Sequence, residues 1–116
     1  MCGRFALFTK GQFGYESLKL PESPPFERYN ISPSQDILAI RTAPETGRPE
    51  WALLRWGLVP FWSKELWVKR PLINARAEGI EAKPSFRGRV RHRRCIVPAS
   101  GFYEWRRDEA GKRPYF

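Results

Sequence analysis

Residues 37–42 read I-L-A-I-R-T and residues 51–56 read W-A-L-L-R-W, with A-P-E-T-G-R-P-E between them. Two short apolar runs bounded by Pro, Gly, Thr and Glu predict two strands joined by a turn. Working outward, C-G-R-F-A-L-F (2–8) also reads as a strand. Its alternation puts Cys2 and Arg4 on one face and Gly3, Phe5 and Leu7 on the other. Downstream, L-I-N-A-R-A-E (72–78) is extended, and C-I-V-P-A (95–99) and G-F-Y-E-W-R (101–106) are strands. D-E-A-G-K turns the chain, and R-P-Y-F (113–116) looks like the opening of another strand. Helices are few. Residues 12–20 suit a short one, weakened by Gly14, and 83–92 suit another with Ser85 as its N-cap. Residues 21–36 carry four prolines and read as an ordered loop. There is no internal repeat and no low-complexity segment. The expectation is a single domain over residues 1–116, mostly β with a few short helices.

Composition bounds the function. The 116 residues are 41% hydrophobic and 15% aromatic, enough to bury a core. The formal net charge is +9, from 21 Lys and Arg against 12 Asp and Glu. That balance favours anionic partners, nucleic acid first among them. Two cysteines, Cys2 and Cys95, make no disulfide framework and no C-x-x-C pair. Cys2, His92 and Cys95 are too few for a zinc site. No signal peptide and no apolar run of membrane-spanning length is present. A reduced, intracellular, soluble protein without metal is expected.

Four groups of residues carry chemistry. Cysteine at position two is small enough for Met1 to be trimmed, which would leave Cys2 with an α-amine and a thiol on adjacent carbons. Such a 1,2-aminothiol attacks a carbonyl twice and closes a ring. Arg4 on the same face would lower the thiol pKa. The bland alternative is a small structural cysteine. In I-N-A-R-A-E, alternation puts Asn74, Arg76 and Glu78 in one polar row. Asn74 suits an oxygen or sugar hydroxyl and Arg76 a phosphate, against a plain solvated strand face. Glu104 lies between Phe102, Tyr103 and Trp105 in sequence. A carboxylate in apolar surroundings trades protons near neutrality, whereas one on an edge strand points to solvent. Trp56, Trp62 and Trp67 surround Gly57 and Pro60. Trp56 fits a core, and Trp62 suits stacking on a base. R-G-R-V-R-H-R-R (87–94) is either a phosphate contact or a solvated helix face, and His92 within it reads as a surface residue.

Together these residues form an ordered set that resembles the SRAP family (SOS response-associated peptidase, abasic-site processing proteins). The resemblance lies in M-C-G-R-F (1–5), R-Y-N-I-S-P (28–33), L-R-W-G-L-V-P-F-W (54–62), I-N-A-R-A-E (73–78), K-P-S-F-R (83–87) and R-R-C-I-V-P-A-S-G-F-Y-E-W (93–105). It implies a compact, β-rich α+β domain with an irregular barrel-like sheet. It implies binding to single-stranded DNA at abasic sites, whose open-chain sugar bears an aldehyde, in the cytoplasm and at the nucleoid. Cys2, freed of Met1, would join that aldehyde as a thiazolidine and shield the lesion. By the same resemblance Asn74 steadies the sugar oxygen, Glu104 shuttles protons, Arg4 and Arg76 hold flanking phosphates, and Trp62 wedges at the lesion. No cofactor is called for.

The family pattern also includes a second half with a histidine in an H-x-R-M-P-like motif. It has no counterpart here, which reads as truncation at the C-terminus. Two further readings stay open. One is a thiol autopeptidase that uses Cys2 as an N-terminal nucleophile, and the other is a non-catalytic DNA-binding module.

Overall fold

The computed structural model describes residues 2–8, 16–65 and 71–116. Its strands are β1 (Phe5–Leu7), β2 (Arg28–Ile31), β3 (Asp36–Thr42), β4 (Pro49–Arg55), β5 (Cys95–Ile96), β6 (Gly101–Phe102), β7 (Glu104–Asp108) and β8 (Gly111–Tyr115). One α-helix, α1 (Pro84–His92), and two 3-10 turns (Glu16–Leu18 and Ile80–Ala82) accompany them. The class is a small, sheet-rich α+β domain.

The β3–β4 hairpin is the scaffold. Seven residue pairs run in unbroken antiparallel register from Asp36↔Arg55 to Thr42↔Pro49. Gly47 makes the turn possible with φ 68°, a left-handed conformation that favours glycine. The Ala43 and Gly47 N–H groups close it on the Arg48 and Ala43 carbonyls, at 2.8 and 2.9 Å. Beside the turn Arg41 meets Glu50, its direct cross-strand partner, at 2.8 Å. Four consecutive β3 residues, Ile37 to Ile40, are buried, so the strand is covered on both faces.

Ile37 and Leu38 join Phe5, Leu7 and Ile31 in the core cluster, with Cys2, Phe26, Trp51, Leu54 and Trp56 packed against it. Each such aliphatic or Phe side chain contributes about 1.5–3 kcal/mol by burial. The sheets follow from this core. One has the order β2-β1-β6, a second β4-β3-β5, and β7-β8 forms a ribbon of its own. Among the described residues the three remain separate and close no barrel.

Several local expectations change. A strand, β2, lies inside the proline-rich segment expected to be loop. Only Ile31 of its four residues is buried, so it shows no alternation that sequence could reveal. Its pairing with β1 (Phe5↔Ile31, Leu7↔Arg28) builds it. The segment 72–78 is not a strand. Only Leu72 makes a β-bridge, to Leu58, and the chain is irregular beyond it before turning at 77–79. Asn74, Arg76 and Glu78 therefore share no strand face. Helix α1 is capped by Lys83 with no side-chain hydrogen bond, not by Ser85. Pro84 opens the helix, where its missing N–H costs nothing, and Ser85 falls inside the first turn. The strands expected at 2–8, 95–99 and 101–106 are shorter, and the last is interrupted at Tyr103. Of the helix expected over 12–20, only the 3-10 turn Glu16–Leu18 is seen, and residues 12–15 lie outside the described residues.

Candidate active site around the amino terminus

Cys2, Gly3 and Arg4 precede β1 as a half-buried segment, held from three directions. The Asn74 amide Nδ2 donates to the Cys2 carbonyl at 2.9 Å, across 72 residues of sequence. The Tyr103 N–H donates to the Arg4 carbonyl at 2.9 Å, and the Cys2 thiol donates to the same oxygen at 3.3 Å. Arg4 Nη1 donates to Asn30 Oδ1 of β2 at 2.7 Å. Cys2 and Arg4 are therefore related through the Arg4 main chain, and the guanidinium is engaged by an amide. The expected pairing of guanidinium and thiol on one strand face is replaced by this arrangement, because β1 begins only at Phe5.

The surrounding elements explain why these groups converge. Trp56, at the end of β4, packs edge-on against Phe5 with ring centroids 5.4 Å apart. Its indole N–H donates to the Ile73 carbonyl at 3.0 Å, which fixes the backbone next to Asn74. Trp56 thus combines the expected core role with a positioning one. Gly57 lets the chain pass Pro71. A Cβ there would lie 2.7 Å from the Pro71 ring, and φ is +140°. On the other side the Ser100 N–H donates to the Ala6 carbonyl at 2.8 Å, and β6 pairs with β1. The Tyr103 hydroxyl reaches the Tyr29 carbonyl of β2 at 2.8 Å. Sequence reasoning misses Tyr103 and Asn30 as site residues. Both lie in recognisable motifs, G-F-Y-E-W and R-Y-N-I-S-P, but a contact across 74 residues leaves no trace in local spacing.

The other expected site residues fall on the surface. Glu104 follows Tyr103 at the start of β7 and is exposed, so its aromatic sequence neighbours do not enclose it. Tyr103 breaks the strand, and Trp105 alternates to the opposite face of the ribbon. Arg76 is exposed two residues beyond Asn74. Trp62 is 55% exposed and meets Phe61 edge-on at 4.8 Å, an aromatic step open to a stacking partner. Met1 and Trp67 lie outside the described residues. Arg87, Arg91, His92, Arg93 and Arg94 are exposed on and after α1, and His92 is a surface residue, as its sequence setting implies. Cys95 is exposed as a residue, while partial burial of its thiol pushes its pKa up. Among the described residues no group of three or more His, Cys, Asp and Glu gathers as a metal site, and no helix is long and apolar enough to cross a membrane.

The described residues thus set a half-buried cysteine near the amino terminus, an amide bonded to its carbonyl, and arginine and aromatic side chains exposed on the surface. The chain belongs to the SRAP family: the profile described as SOS response associated peptidase (SRAP) matches residues 1–116. Its relatives include the abasic site processing protein YoqW of Bacillus subtilis (strain 168), 45% identical over 112 residues, covering 92% of this chain and 49% of the relative. The abasic site processing protein YedK of Escherichia coli (strain K12) is 33% identical over 124 residues, covering all of this chain and 53% of the relative. The abasic site processing protein HMCES of Gallus gallus is 42% identical over 67 residues, covering 54% and 20% respectively. The chain spans about half the length of the bacterial relatives it matches.

Proposed function

We propose that this chain captures abasic sites in single-stranded DNA covalently, through Cys2 after loss of Met1. The observation that carries the reading is the 2.9 Å bond from the Asn74 amide to the Cys2 carbonyl. It brings a hydrogen-bond donor of the kind that suits a sugar oxygen to the residue that would carry the 1,2-aminothiol. The names of the relatives, abasic site processing proteins, supply the substrate class.

The chemistry balances without a cofactor. The Cys2 amine adds to the aldehyde carbon of the opened sugar, and the carbinolamine expels water to give an imine. The thiolate then adds to the imine carbon and closes a thiazolidine. The thiol proton ends on the ring nitrogen, so the net loss is one water. Asn74 holds the Cys2 backbone and steadies the sugar oxygen through the same amide. Glu104, open to solvent, relays the protons that carbinolamine collapse requires. Arg4 and Arg76 neutralise flanking phosphates, and Trp62 stacks on a base beside the lesion. The net charge of +9 draws the strand in. The reading places the protein with chromosomal DNA at the nucleoid. It also expects the three sheets to join a barrel-like sheet in a chain of the relatives' length.

The test is a denaturing gel with a single-stranded oligonucleotide carrying one abasic site. Wild-type protein should give a heat-stable shifted band, absent with lesion-free DNA and absent in Cys2→Ser. Asn74→Ala should slow its appearance while costing about 0.5–1.5 kcal/mol of stability. Equal band formation by Cys2→Ser would contradict the reading.

A further inference from the structure

We propose that the β7–β8 ribbon is a second nucleic-acid contact, on which Arg106 and Arg113 grip the backbone of a strand running on from the Cys2 site. The inference rests on the reading above that a DNA strand lies at Cys2.

The ribbon is unusual in both charge and exposure. All ten of its strand residues are exposed. Its register sets Arg106 directly opposite Arg113 and Arg107 directly opposite Lys112. Directly paired residues share a face, so each face carries one like-charge pair, which works against the strands' own association. One of them is relieved. Lys112 lies over the Trp105 ring, 5.4 Å from its centroid, on the face that Arg107 shares. Among the described residues the Arg106–Arg113 pair has no such partner. The Arg41–Glu50 ion pair lies in another sheet. Asp108, next along that face, is occupied in closing the turn, accepting from the Ala110 N–H at 3.0 Å. Two guanidiniums facing each other on an open ribbon are matched by an anion seated between them.

Geometry points to a polyanion, not a free ion. The face that carries Arg106 and Arg113 also carries Glu104 and Tyr115, which are paired with each other. Glu104 adjoins Tyr103, whose N–H holds Arg4. The row therefore starts at the Cys2 site and leads away from it: first Tyr115, 52% exposed, then the two arginines. An aromatic ring followed by paired cations is the combination that single strands use, base on ring and phosphate on guanidinium.

The test uses lesion-free oligothymidylates, one short enough to occupy the Cys2 site alone and one long enough to reach the ribbon. Affinity is read by fluorescence anisotropy over a range of salt. The longer strand should bind more tightly and with the steeper salt dependence. In the double variant Arg106→Gln/Arg113→Gln that length advantage should disappear. The slope of log K against log salt should flatten by about 1.4, because two phosphates of the single strand are no longer neutralised. The variant's melting temperature should hold or rise, because the opposed charges are gone. An unchanged slope and length dependence would overturn the proposal, as would a lower melting temperature with DNA binding intact, which would make the arginines structural. An acidic peptide that competes where DNA shows no length dependence would overturn it also. No adduct forms on lesion-free DNA, so failure here leaves the Cys2 reading standing. Absence of adduct on lesion DNA leaves the ribbon standing.

Discussion

The molecule contains two antiparallel hairpins made by similar local means and put to different uses. Both β3–β4 and β7–β8 turn at a glycine with positive φ, Gly47 at 68° and Gly111 at 115°. The first pairs seven residues and the second five. In the first, four consecutive residues of one strand are buried and a cross-strand Arg41–Glu50 pair closes at 2.8 Å. In the second every residue is exposed, and two of the cross-strand pairs set cation against cation. Turn chemistry forms a hairpin, and what covers it decides whether it is scaffold or surface. The candidate site lies where the two kinds of region meet. Cys2 packs on the core formed with β3, while Asn74 and Glu104 arrive on segments that are exposed.

The contrast can be broken by mutation. The largest expected effect is in the scaffold: Leu38→Ala should cost about 2–5 kcal/mol in denaturant unfolding, whereas Trp105→Ala in the ribbon should cost far less. Equal losses would mean that the ribbon is part of the core. Gly57→Ala comes next. Its positive φ and the near approach of the Pro71 ring predict a loss of about 1–3 kcal/mol, with slower adduct formation as Asn74 shifts from Cys2. The same change at Gly101 would run into the Phe116 ring, itself packed against Tyr103 and Phe8, and should also destabilise. A smaller effect of opposite sign is expected in the ribbon. Arg113→Glu places a carboxylate opposite Arg106 and should stabilise by about 0.2–1 kcal/mol, seen as a raised melting temperature. The smallest effect concerns Cys95. Burial raises its thiol pKa, so less thiolate is present at a given pH. Its alkylation by iodoacetamide should be slower than that of a free model thiol at pH 8, and the gap should close as pH rises past the raised pKa.

Much of this is legible in sequence, for physical reasons that differ by region. The β3–β4 hairpin can be read because apolar runs and turn residues are local signals. Cys2 and Asn74 can be named by motif, and Trp62 by its place after Pro60. The β2 strand cannot, since one buried residue in four gives no period and its pairing partner lies more than twenty residues away. I-N-A-R-A-E misleads as a strand because alternating small and polar residues mimic one. A single bridge at Leu72 and the Trp56–Ile73 bond hold that segment instead. Glu104 looks enclosed because three aromatics adjoin it in sequence, but alternation and the break at Tyr103 carry them elsewhere. The Arg4–Asn30 bond depends on sheet order, which no spacing encodes.

The central claim is covalent capture by the amino-terminal residue, and intact mass tests it most directly. The protein is incubated with a single-stranded oligonucleotide bearing one abasic site, without reductant, heated, and weighed. The account predicts a species equal to protein lacking Met1 plus oligonucleotide minus one water, with the added mass mapped to the peptide that begins at Cys2. It also predicts none of that species in Cys2→Ser. An adduct that survives only after borohydride reduction, or one that maps to a lysine, would contradict it.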